Sequence, residues 1–441
     1  MGSIGPNYAV VDPTPLFSSR VQKWEPGAIR SLLPLEALPG MISLVAGKPS
    51  PETFPIAEIA ISLKGAPAGK DRIVVDGEEL NQALQYGLPR GYAGLIQWFE
   101  TLQKRVHGLD EEGGWACCIG NGSQELIHRV MQVFTDPGDP VLLETPAYPG
   151  VVGFLRADGQ ELIAVYSDAH GLNPASLDQI LSTWPSDSPR PKVLYTTPTG
   201  SNPTGQSCTE TRKAEILRLA KRFNFIILED DAYYYLNYGD EKCRARSYLA
   251  LERDVNGDSG RVVRFDSLSK IVSPGMRLGI LTAPVSVVDK VARITENINL
   301  QPSSTTQLIA FSLLRHWGHP GFLAHCAGAA EVYRRRRDVF VAAAERHLQG
   351  RATWVAPTAG MFVWLELKLP PGEDSFERLR KQGMKDGVLA IPGVAFMPGG
   401  EKTCYIRVSF SLVSEGHMDE ACFGLWGLAN TLFSYSYGFC L

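Results

Sequence analysis

The sequence predicts an α/β protein with a large, mixed and mostly parallel β-sheet flanked by helices, followed by a smaller α+β domain. Short apolar runs alternate with helical patterns from about residue 120 to residue 282. Such alternation is typical of a parallel sheet with helices on both faces. Beyond residue 285 long helices and a few separate strands replace the alternation. With 441 residues, 44% of them hydrophobic and 20% charged, the chain has the composition of a globular protein.

The strands predicted for the large sheet are short apolar runs. They lie at residues 140–143, 162–165, 193–196, 225–228, 262–265 and 279–282. Between them, residues 210–223 form a predicted helix with Thr209 as its N-cap, and residues 123–134 form another, which Asp-Pro-Gly-Asp at 136–139 ends. Ligands of such sheets bind at the carboxyl ends of the strands. The segments that follow the strands are therefore the places to search for a site.

The chain is predicted to have three parts. Its first 60 residues are rich in proline and glycine and show no strong period until Gln82, which indicates an arm that packs on other parts of the molecule. The large domain is predicted at 61–325 and the small domain at 326–441. The elements predicted in the small domain are a helix from about 322 to 348, strands near 353, at 362–367 and at 405–410, and a last helix after 414.

Charge and composition exclude several classes of function. A net charge of −4 gives no global positive field for nucleic acid or an anionic membrane. The eight cysteines include no Cys-x-x-Cys, so we expect reduced thiols and no metal site. No apolar run approaches the roughly 18 residues needed to span a bilayer, and the start lacks a secretory pattern. We expect a cytoplasmic enzyme that acts on small molecules.

Lys270 is the strongest candidate for chemistry. It closes the run Asp-Ser-Leu-Ser-Lys at 266–270, and Arg277 follows seven residues later. A lysine amine becomes a nucleophile when its surroundings keep it unprotonated, and a Schiff base with pyridoxal phosphate (PLP) is a common use of such a lysine. Ser267, Ser269 and Arg277 are suited to binding a phosphate. Taken alone, the motif fits a surface lysine after a strand better than a cofactor lysine, because short motifs are weak by themselves.

Two further segments follow predicted strands. Gly-Asn-Gly-Ser-Gln at 120–124 opens a helix, whose free N–H groups favour an anion, although Ser123 is also an ordinary N-cap. Thr-Pro-Ala-Tyr-Pro at 145–149 contains Tyr148, whose ring is suited to stacking on a flat heterocycle or simply to packing in a loop.

An amide and a carboxylate follow the next two strands. Asn202 lies in a stretch of turn-forming residues at 197–205, which turn statistics alone would explain. Asp230 leaves the strongest predicted strand, and a carboxylate there can protonate a pyridine nitrogen and so make PLP a better electron sink. The alternative is a solvated acidic loop.

The order of these segments resembles one family, the fold-type I PLP-dependent aminotransferases of class I and II. The resemblance is closest to the branch of aromatic, kynurenine and 2-aminoadipate aminotransferases, and it covers roughly residues 17 to 430. Its most specific segments are Ala-Leu-Gln-Tyr at 83–86, Ser-Asn-Pro-Thr-Gly at 201–205 and the run at 266–270. It implies the fold-type I architecture, a PLP cofactor and a homodimer with shared active sites.

The resemblance also implies a role for each matching residue. Lys270 would bind the cofactor and move the substrate α-proton, and Asp230 would pair with the ring nitrogen. Asn202 and Tyr233 would bond the ring oxygen, and Tyr148 would stack on the ring. The residues implied for the phosphate are Ser123, Gln124, Ser267, Ser269, Arg277 and, from the neighbouring subunit, Tyr86.

Substrate residues are implied at both ends of the chain. Arg407 matches the arginine that binds the substrate α-carboxylate, for which its fork geometry is suited. The pattern of residues 405–410 fits the outward face of an edge strand equally well. Gly47 and Asn202 match substrate-side positions, and Arg30 matches a mobile arginine near the substrate side chain. Lys48 stands where relatives carry an apolar residue, so we expect a bias toward an anionic or hydroxylated substrate.

The function that follows is a PLP-dependent aminotransferase. It would move the amino group of an aromatic, kynurenine-like or 2-aminoadipate-like L-amino acid to 2-oxoglutarate by a ping-pong mechanism. A PLP-dependent carbon-sulfur lyase or decarboxylase is the alternative, because PLP-binding motifs do not separate these reactions. A transcription regulator with an aminotransferase-like domain fits poorly, since only a short arm precedes the matching region.

Overall fold

The computed structural model describes residues 9–25, 27, 32, 35, 38–45, 47–64, 72–110, 114–239 and 244–429. The strands are β1 (Ala9–Val10), β2 (Glu58–Ser62), β3 (Arg72–Asp76), β4 (Trp115–Gly120), β5 (Pro140–Thr145), β6 (Glu161–Asp168), β7 (Gly171–Leu172), β8 (Val193–Thr196), β9 (Ile226–Asp230), β10 (Asp258–Ser259), β11 (Val262–Ser267), β12 (Gly279–Pro284), β13 (Ala352–Thr353), β14 (Phe362–Leu367), β15 (Ile391–Pro392) and β16 (Tyr405–Ser409). The helices are α1 (Ser19–Gln22), α2 (Gly77–Leu84), α3 (Ala93–His107), α4 (Ser123–Phe134), α5 (Pro149–Ala157), α6 (Pro174–Ser182), α7 (Glu210–Phe223), α8 (Tyr248–Asn256), α9 (Val285–Ile298), α10 (Ser304–Leu348), α11 (Ser375–Arg378) and α12 (Glu415–Ala429).

The predicted large sheet is present and has eight strands, with parallel and antiparallel pairs. Contact density divides the chain into two compact units, which are described in turn. Unit 1 comprises Met1–Asp139, Leu217–Ala232 and Arg246–His325. Unit 2 comprises Pro140–Ile216, Tyr233–Ala245 and Cys326–Leu441.

Unit 1 contains four strands of the large sheet in the order β4-β12-β11-β9. Strands β9 and β11 are parallel, and β12 is antiparallel to both β11 and β4. These strands are almost wholly buried, as is expected of apolar runs covered on both faces. Helix α4 buries its apolar face from Leu126 to Phe134. Helix α4 begins soon after β4 ends at Gly120, so its N-terminus lies near the carboxyl ends of β4 and β11.

Unit 2 contains the other four strands of the large sheet and a small sheet. The first series has the order β8-β5-β6-β7, in which β5 is parallel to β6 and β8. The small sheet has the order β13-β14-β16-β15 and is antiparallel. Its core joins the second half of α10 to α12 through side chains such as Phe340, Val363 and Leu425.

Several predicted elements match the structure residue for residue. The predicted helices at 123–134 and 210–223 are α4 and α7, and the predicted strand at 362–367 is β14. The backbone N–H of Arg212 donates to the Thr209 hydroxyl at 3.4 Å, so Thr209 is the predicted cap. These segments were predictable because their apolar periodicity and their end signals agree.

Two segments differ from the prediction. The hairpin of β2 and β3, followed by α2 from Gly77, lies in a region with no strong period before Gln82. Alternate β2 residues are only half-buried, which explains the weak pattern. Helix α10 begins at Ser304 instead of near residue 322, and it is interrupted at Gly318, whose φ is 60°, just before Pro320.

The three-part division of the chain stays a prediction. One of its boundaries, between His325 and Cys326, coincides with a boundary between the two units.

Among the helices of the described residues, none has the length and apolar character that crossing a bilayer requires.

Candidate active site

Lys270 lies in the tight connection between two antiparallel strands of unit 1. Strand β11 ends at Ser267, residues 268–270 form a turn, and β12 begins at Gly279. The Leu268 N–H donates to the Leu278 carbonyl at 3.2 Å, which closes the base of this loop. The Lys270 side chain is half-buried. The loop therefore holds Lys270 and Arg277 at the carboxyl end of β11, where the sequence predicts a site.

Arg277 connects the serines to the start of α4. Its guanidinium donates to Ser269 Oγ at 3.3 Å and to the Asn121 carbonyl at 3.4 Å. The Ser269 N–H in turn donates to Ser267 Oγ at 3.2 Å. We call Ser267, Ser269, Arg277 and the Gly122–Ser123 turn the Arg277 cluster. The structure thus brings together four of the residues predicted for a phosphate site, with Gln124 following in the same helical turn.

The glycine at the N-terminus of α4 is required for this packing. Gly122 has a φ of 94°, and a Cβ there would collide with the Arg277 guanidinium. Backbone N–H groups at a helix N-terminus have no partner within the helix, and the helix dipole favours an anion there. A guanidinium, two hydroxyls and a bare helix N-terminus are the donor set of a phosphate site.

Asp230 is the last residue of β9 in the same unit and is half-buried. It stands in register with Phe265 of the parallel strand β11, two residues before Ser267. The Asp231 N–H donates to the Phe265 carbonyl at 3.0 Å and continues the pairing past the strand end. Asp230 and the 267–270 segment therefore belong to the same row of strand ends.

Arg407 lies in the small sheet of unit 2. Its strand β16 runs between β14 and β15, with Trp364 and Ile391 as the residues opposite Arg407. The alternative that placed Arg407 on an edge strand is therefore wrong. Arg407 Nη1 donates to Asn202 Oδ1 at 2.9 Å, and the guanidinium lies 4.4 Å from the centre of the Phe362 ring. The ring and the amide hold the guanidinium in one place.

Tyrosines accompany this arginine. The Tyr233 ring is buried and meets the Phe362 ring edge to face, with 6.0 Å between ring centres. Burial lowers the pKa of Arg407, and Tyr233 and Tyr148 oppose that effect through their charge interaction with it. We call Asn202, Tyr233, Phe362 and Arg407 the Arg407 cluster.

Tyr148 is positioned by the residues on either side of it. The Ala147 N–H donates to the Phe396 carbonyl at 2.9 Å, and the Arg407 guanidinium lies 5.3 Å from the Phe396 ring centre. A side chain at Gly150 would collide with the Tyr148 ring, so this glycine leaves room for the tyrosine. Tyr148 is thereby placed beside the Arg407 cluster.

The remaining predicted residues precede these clusters in the chain. Gly47 is exposed, with open space around the position that a Cβ would take among the described residues. Tyr86 is 56% exposed. Arg30 lies outside the described residues. Their predicted roles toward cofactor and substrate stay predictions.

Sequence reasoning missed the aromatic and acidic residues that support the site. Phe362 and Phe396 look like ordinary apolar positions in sequence, yet both lie against Arg407. Glu144, at the end of β5, accepts from Thr196 Oγ1 at 2.6 Å and from the Thr197 N–H at 2.9 Å. Burial raises the pKa of Glu144, and these two hydrogen bonds oppose that rise. The sequence did offer a signal for Glu144, because it is a charged residue within an otherwise apolar strand.

Comparison with known proteins decides the family. The model of the family described as "Aminotransferase class I and II" matches residues 65–425. The chain belongs to this family. The enzyme is therefore an aminotransferase, as the sequence predicts.

Two relatives match the chain over most of its length, and the name of the second indicates the branch of the family. The chain is 87% identical to the aminotransferase tdiD of Emericella nidulans over 98% of this chain and 99% of the relative. It is 36% identical to the mitochondrial kynurenine/alpha-aminoadipate aminotransferase of Bos taurus, over 90% of this chain and 94% of the relative. The predicted aromatic, kynurenine and aminoadipate branch is thus supported.

Solved structures agree with the fold. The aminotransferase Aro8 from Candida albicans matches with a TM-score of 0.86 and 25% identity, over 96% of this chain and 98% of that chain. A kynurenine aminotransferase from Pyrococcus horikoshii, in complex with PMP, matches with a TM-score of 0.73 and 27% identity, over 94% of this chain and 96% of that chain. The predicted fold-type I class is confirmed.

Enzymes of this family work with PLP, which is the cofactor of this enzyme. The residues of unit 1 fit that group. The Arg277 cluster offers cationic and hydroxyl donors for a phosphate, and Gly122 leaves that cradle free of a side chain. Asp230 offers a carboxylate, which is the partner that a protonated pyridine nitrogen needs. Lys270 offers the amine in the same loop as Arg277.

Proposed function

We propose that this aminotransferase takes the amino group from an aromatic, kynurenine-like or 2-aminoadipate-like L-amino acid and gives it to 2-oxoglutarate by a ping-pong mechanism. The name of the Bos taurus relative supports a donor of the kynurenine or 2-aminoadipate class. Both substrates of such a reaction carry a carboxylate beside the reacting carbon. One binding site for that carboxylate can therefore serve both half-reactions.

The observation that carries the proposal is the setting of Arg407. The guanidinium is held by Asn202 Oδ1 at 2.9 Å and by the Phe362 ring face. These contacts use Nη1 and one face of the guanidinium, so other N–H donors remain for a substrate carboxylate. A preformed guanidinium loses little freedom when the carboxylate binds. We assign Arg407 to the α-carboxylate of the amino acid and of the 2-oxo acid.

When bound, PLP supplies an electron sink for the electron pair that the substrate α-carbon releases. Lys270 Nζ would hold the cofactor between turnovers, and after the substrate amine had displaced it, the free lysine amine would take up the substrate α-proton and hold it for return. A base placed in this way contributes about 10²- to 10⁴-fold to the rate. We assign this proton transfer in both half-reactions to Lys270.

The other residues hold the cofactor in place in this proposal. The Asp230 carboxylate keeps a proton at the ring nitrogen, and the Arg277 cluster together with Gln124 binds the phosphate. Asn202 and Tyr233 donate to the ring oxygen, and Tyr148 covers one face of the ring. Tyr86 of a second subunit completes the phosphate site, so the working enzyme is a homodimer, which we place in the cytoplasm.

Substrate choice is assigned to the segment around Gly47. Its backbone approaches the substrate, and Lys48 and Arg30 favour an anionic or hydroxylated side chain. Replacing Lys48 with leucine tests this assignment. We expect the rate with 2-aminoadipate to fall relative to the rate with L-phenylalanine. An unchanged ratio of the two rates would contradict it.

Initial rates test the reaction itself. The enzyme is supplied with L-phenylalanine, L-tyrosine, L-kynurenine or 2-aminoadipate at several fixed concentrations of 2-oxoglutarate. We expect parallel lines in a double-reciprocal plot, one glutamate formed for each donor consumed, and no turnover without 2-oxo acid. Release of carbon dioxide from these donors, or of a thiol from an added cysteine thioether, without any 2-oxo acid would point to a decarboxylase or a lyase, which the comparisons do not favour.

A further inference from the structure

A buried ionic cluster lies directly behind the strand ends of unit 1. Arg264 Nη1 contacts Asp231 Oδ2 at 2.8 Å and Glu229 Oε2 at 3.3 Å, and Nη2 contacts Asp266 Oδ1 at 2.8 Å. Gln103 Nε2 donates to Asp266 Oδ2 at 2.8 Å. We call these five residues the Arg264 cluster. All five are buried, and the Arg264 side chain is fully so.

The cluster carries more negative than positive charge. One arginine faces three carboxylates, and Gln103 adds a neutral donor. Glu229 also accepts from the Tyr248 N–H at 2.7 Å and the Leu249 N–H at 3.3 Å, at the start of α8. Burial opposes the charge of Arg264, but Asp266, Asp231 and Glu229 outweigh burial and raise the pKa of Arg264 well above its ordinary value. The arginine is therefore a permanent cation in this position.

The cluster and the predicted cofactor residues occupy opposite faces of the same two strands. In the register of β9 and β11, Arg264 pairs with Glu229 and Phe265 pairs with Asp230. Side chains alternate between the two faces of a strand. Asp231 and Asp266 therefore share the face of Arg264, whereas Asp230 and Ser267 share the other. Asp230 and Ser267 are thus each adjacent in sequence to a residue whose carboxylate contacts Arg264.

Stability alone does not explain such a cluster. Removing charges from water is costly, and apolar residues of similar volume often serve a protein core as well or better. The cluster lies where β9 ends at Asp230 and where β11 leads into Lys270. The Arg264 cluster provides a fixed geometry and a local negative potential at these strand ends.

We propose that the Arg264 cluster positions Asp230 relative to the 267–270 segment and that its net negative charge favours the proton that Asp230 holds on the ring nitrogen of PLP. The inference rests on the proposed role of Asp230. Asp231 and Asp266 are positioning residues, since neither is assigned a contact with cofactor or substrate. Their charges act through one layer of sheet, where screening by water is weak.

Isosteric charge removal tests the inference. Asp231→Asn and Asp266→Asn each delete one negative charge, one on each strand, with almost no change of volume. Glu252→Gln is the control for replacing a buried carboxyl away from these strand ends, because Glu252 is buried in the same unit and accepts from the Gly260 and Arg261 N–H groups at 3.0 and 2.6 Å, just before β11. For each protein we would measure the pH midpoint of the ring-nitrogen proton by nitrogen NMR of bound cofactor that is isotopically labelled at that nitrogen. Cofactor affinity and the melting temperature of the cofactor-free protein complete the set.

Loss of negative charge makes the protonated form of the bound cofactor less favourable, so its pH midpoint falls. We expect a decrease of roughly 0.5 to 1 pH unit in each aspartate variant, from Coulomb interaction at the effective dielectric of a protein interior. Cofactor affinity falls in both variants, and Glu252→Gln keeps the midpoint of the unaltered enzyme. Midpoints that stay in place in both aspartate variants, or that move equally in Glu252→Gln, would overturn the inference.

Failure of the proposed function gives a different result. The assignment of the site is wrong if the unaltered enzyme shows no cofactor band. It is also wrong if the band is unchanged in Lys270→Ala, because another lysine would then hold the cofactor. If that band is normal and depends on Lys270, only the aspartate variants decide the role of the Arg264 cluster. A lower melting temperature without a shifted midpoint indicates a purely structural cluster and also overturns the inference.

Discussion

Arg407 Nη1 donates to Asn202 Oδ1 at 2.9 Å while the Arg407 guanidinium lies over the Phe362 ring. The arginine therefore cannot swing away from its sheet without losing a charge-assisted hydrogen bond and an aromatic contact. A substrate carboxylate meets a guanidinium that is already in position.

Replacing Arg407 with alanine is expected to weaken the binding of both substrates. Loss of one partner of a buried charge pair costs roughly 2 to 5 kcal/mol. We expect kcat/KM to fall accordingly for the amino acid and for the 2-oxo acid, with higher Michaelis constants for both. Arg407→Lys keeps the charge but loses the forked donor geometry, so its Michaelis constants should lie between those of the unaltered enzyme and those of Arg407→Ala. Unaltered Michaelis constants in Arg407→Ala would contradict the assignment.

Replacing Lys270 with alanine is expected to abolish turnover without unfolding the protein. The side chain is half-buried in a loop closed by main-chain hydrogen bonds that the substitution leaves in place. We expect a loss of at least about 10²-fold in kcat. Circular dichroism and the melting temperature should stay near those of the unaltered protein. Residual turnover at the normal rate would show that another group moves the proton.

Gly122→Ala is expected to weaken the binding of PLP. The added Cβ collides with the Arg277 guanidinium, and φ is 94° at this glycine. Loss of one hydrogen bond to a charged group corresponds to about 1.5 to 3 kcal/mol, or roughly tenfold to a hundredfold in affinity.

Gly138→Ala is the matched control for Gly122→Ala. Gly138 has a φ of 90°, but nothing lies within 4 Å of its added Cβ. Both substitutions place a Cβ at a similar positive φ, and only the one at residue 122 makes it collide with Arg277. Fluorescence titration of the cofactor-free proteins measures the difference. Equal affinities in the two variants would contradict a phosphate role for Arg277.

Glu252 is expected to make the stability of the protein depend on pH. Burial, partly offset by the hydrogen bonds from the Arg261 and Gly260 N–H groups, raises the pKa of Glu252 to about 7. The folded state then binds the proton more tightly than the unfolded state, so this contribution to stability is present below the usual pKa near 4.5 and is lost as the pH rises to about 7. The decrease amounts to at most about 3 kcal/mol.

Urea unfolding of the cofactor-free enzyme and of Glu252→Gln, each from pH 4.5 to 8, isolates this contribution. We expect the difference in free energy of unfolding between the two proteins to change between about pH 4.5 and 7 and to be flat above. A difference that is constant over the whole range would contradict the raised pKa of Glu252.

Residues at strand ends were predictable from the sequence, whereas the residues that support them were not. Lys270, Asp230 and Asn202 follow apolar runs in segments rich in turn formers, and chemistry demands those residue types there. The sheet and helices α4 and α7 were predictable because periodicity and capping agree.

The supporting residues depend on contacts between distant segments. Arg264 is an arginine inside an apolar strand, and only the register with β9 reveals the carboxylates around it. The edge-strand alternative for Arg407 was open for the same reason, because the residues of a strand do not reveal which strands lie beside it. The hairpin of β2 and β3 was missed because its alternation is weak.

The assignment of this enzyme as a PLP-dependent aminotransferase is tested by the visible absorption spectrum of the purified enzyme, recorded before and after addition of L-tyrosine without any 2-oxo acid. We expect that the cofactor band changes to that of the amine form, that one 4-hydroxyphenylpyruvate appears for each site, and that 2-oxoglutarate restores the first band. A spectrum without a cofactor band, or a band that no donor of the predicted class changes, would contradict it.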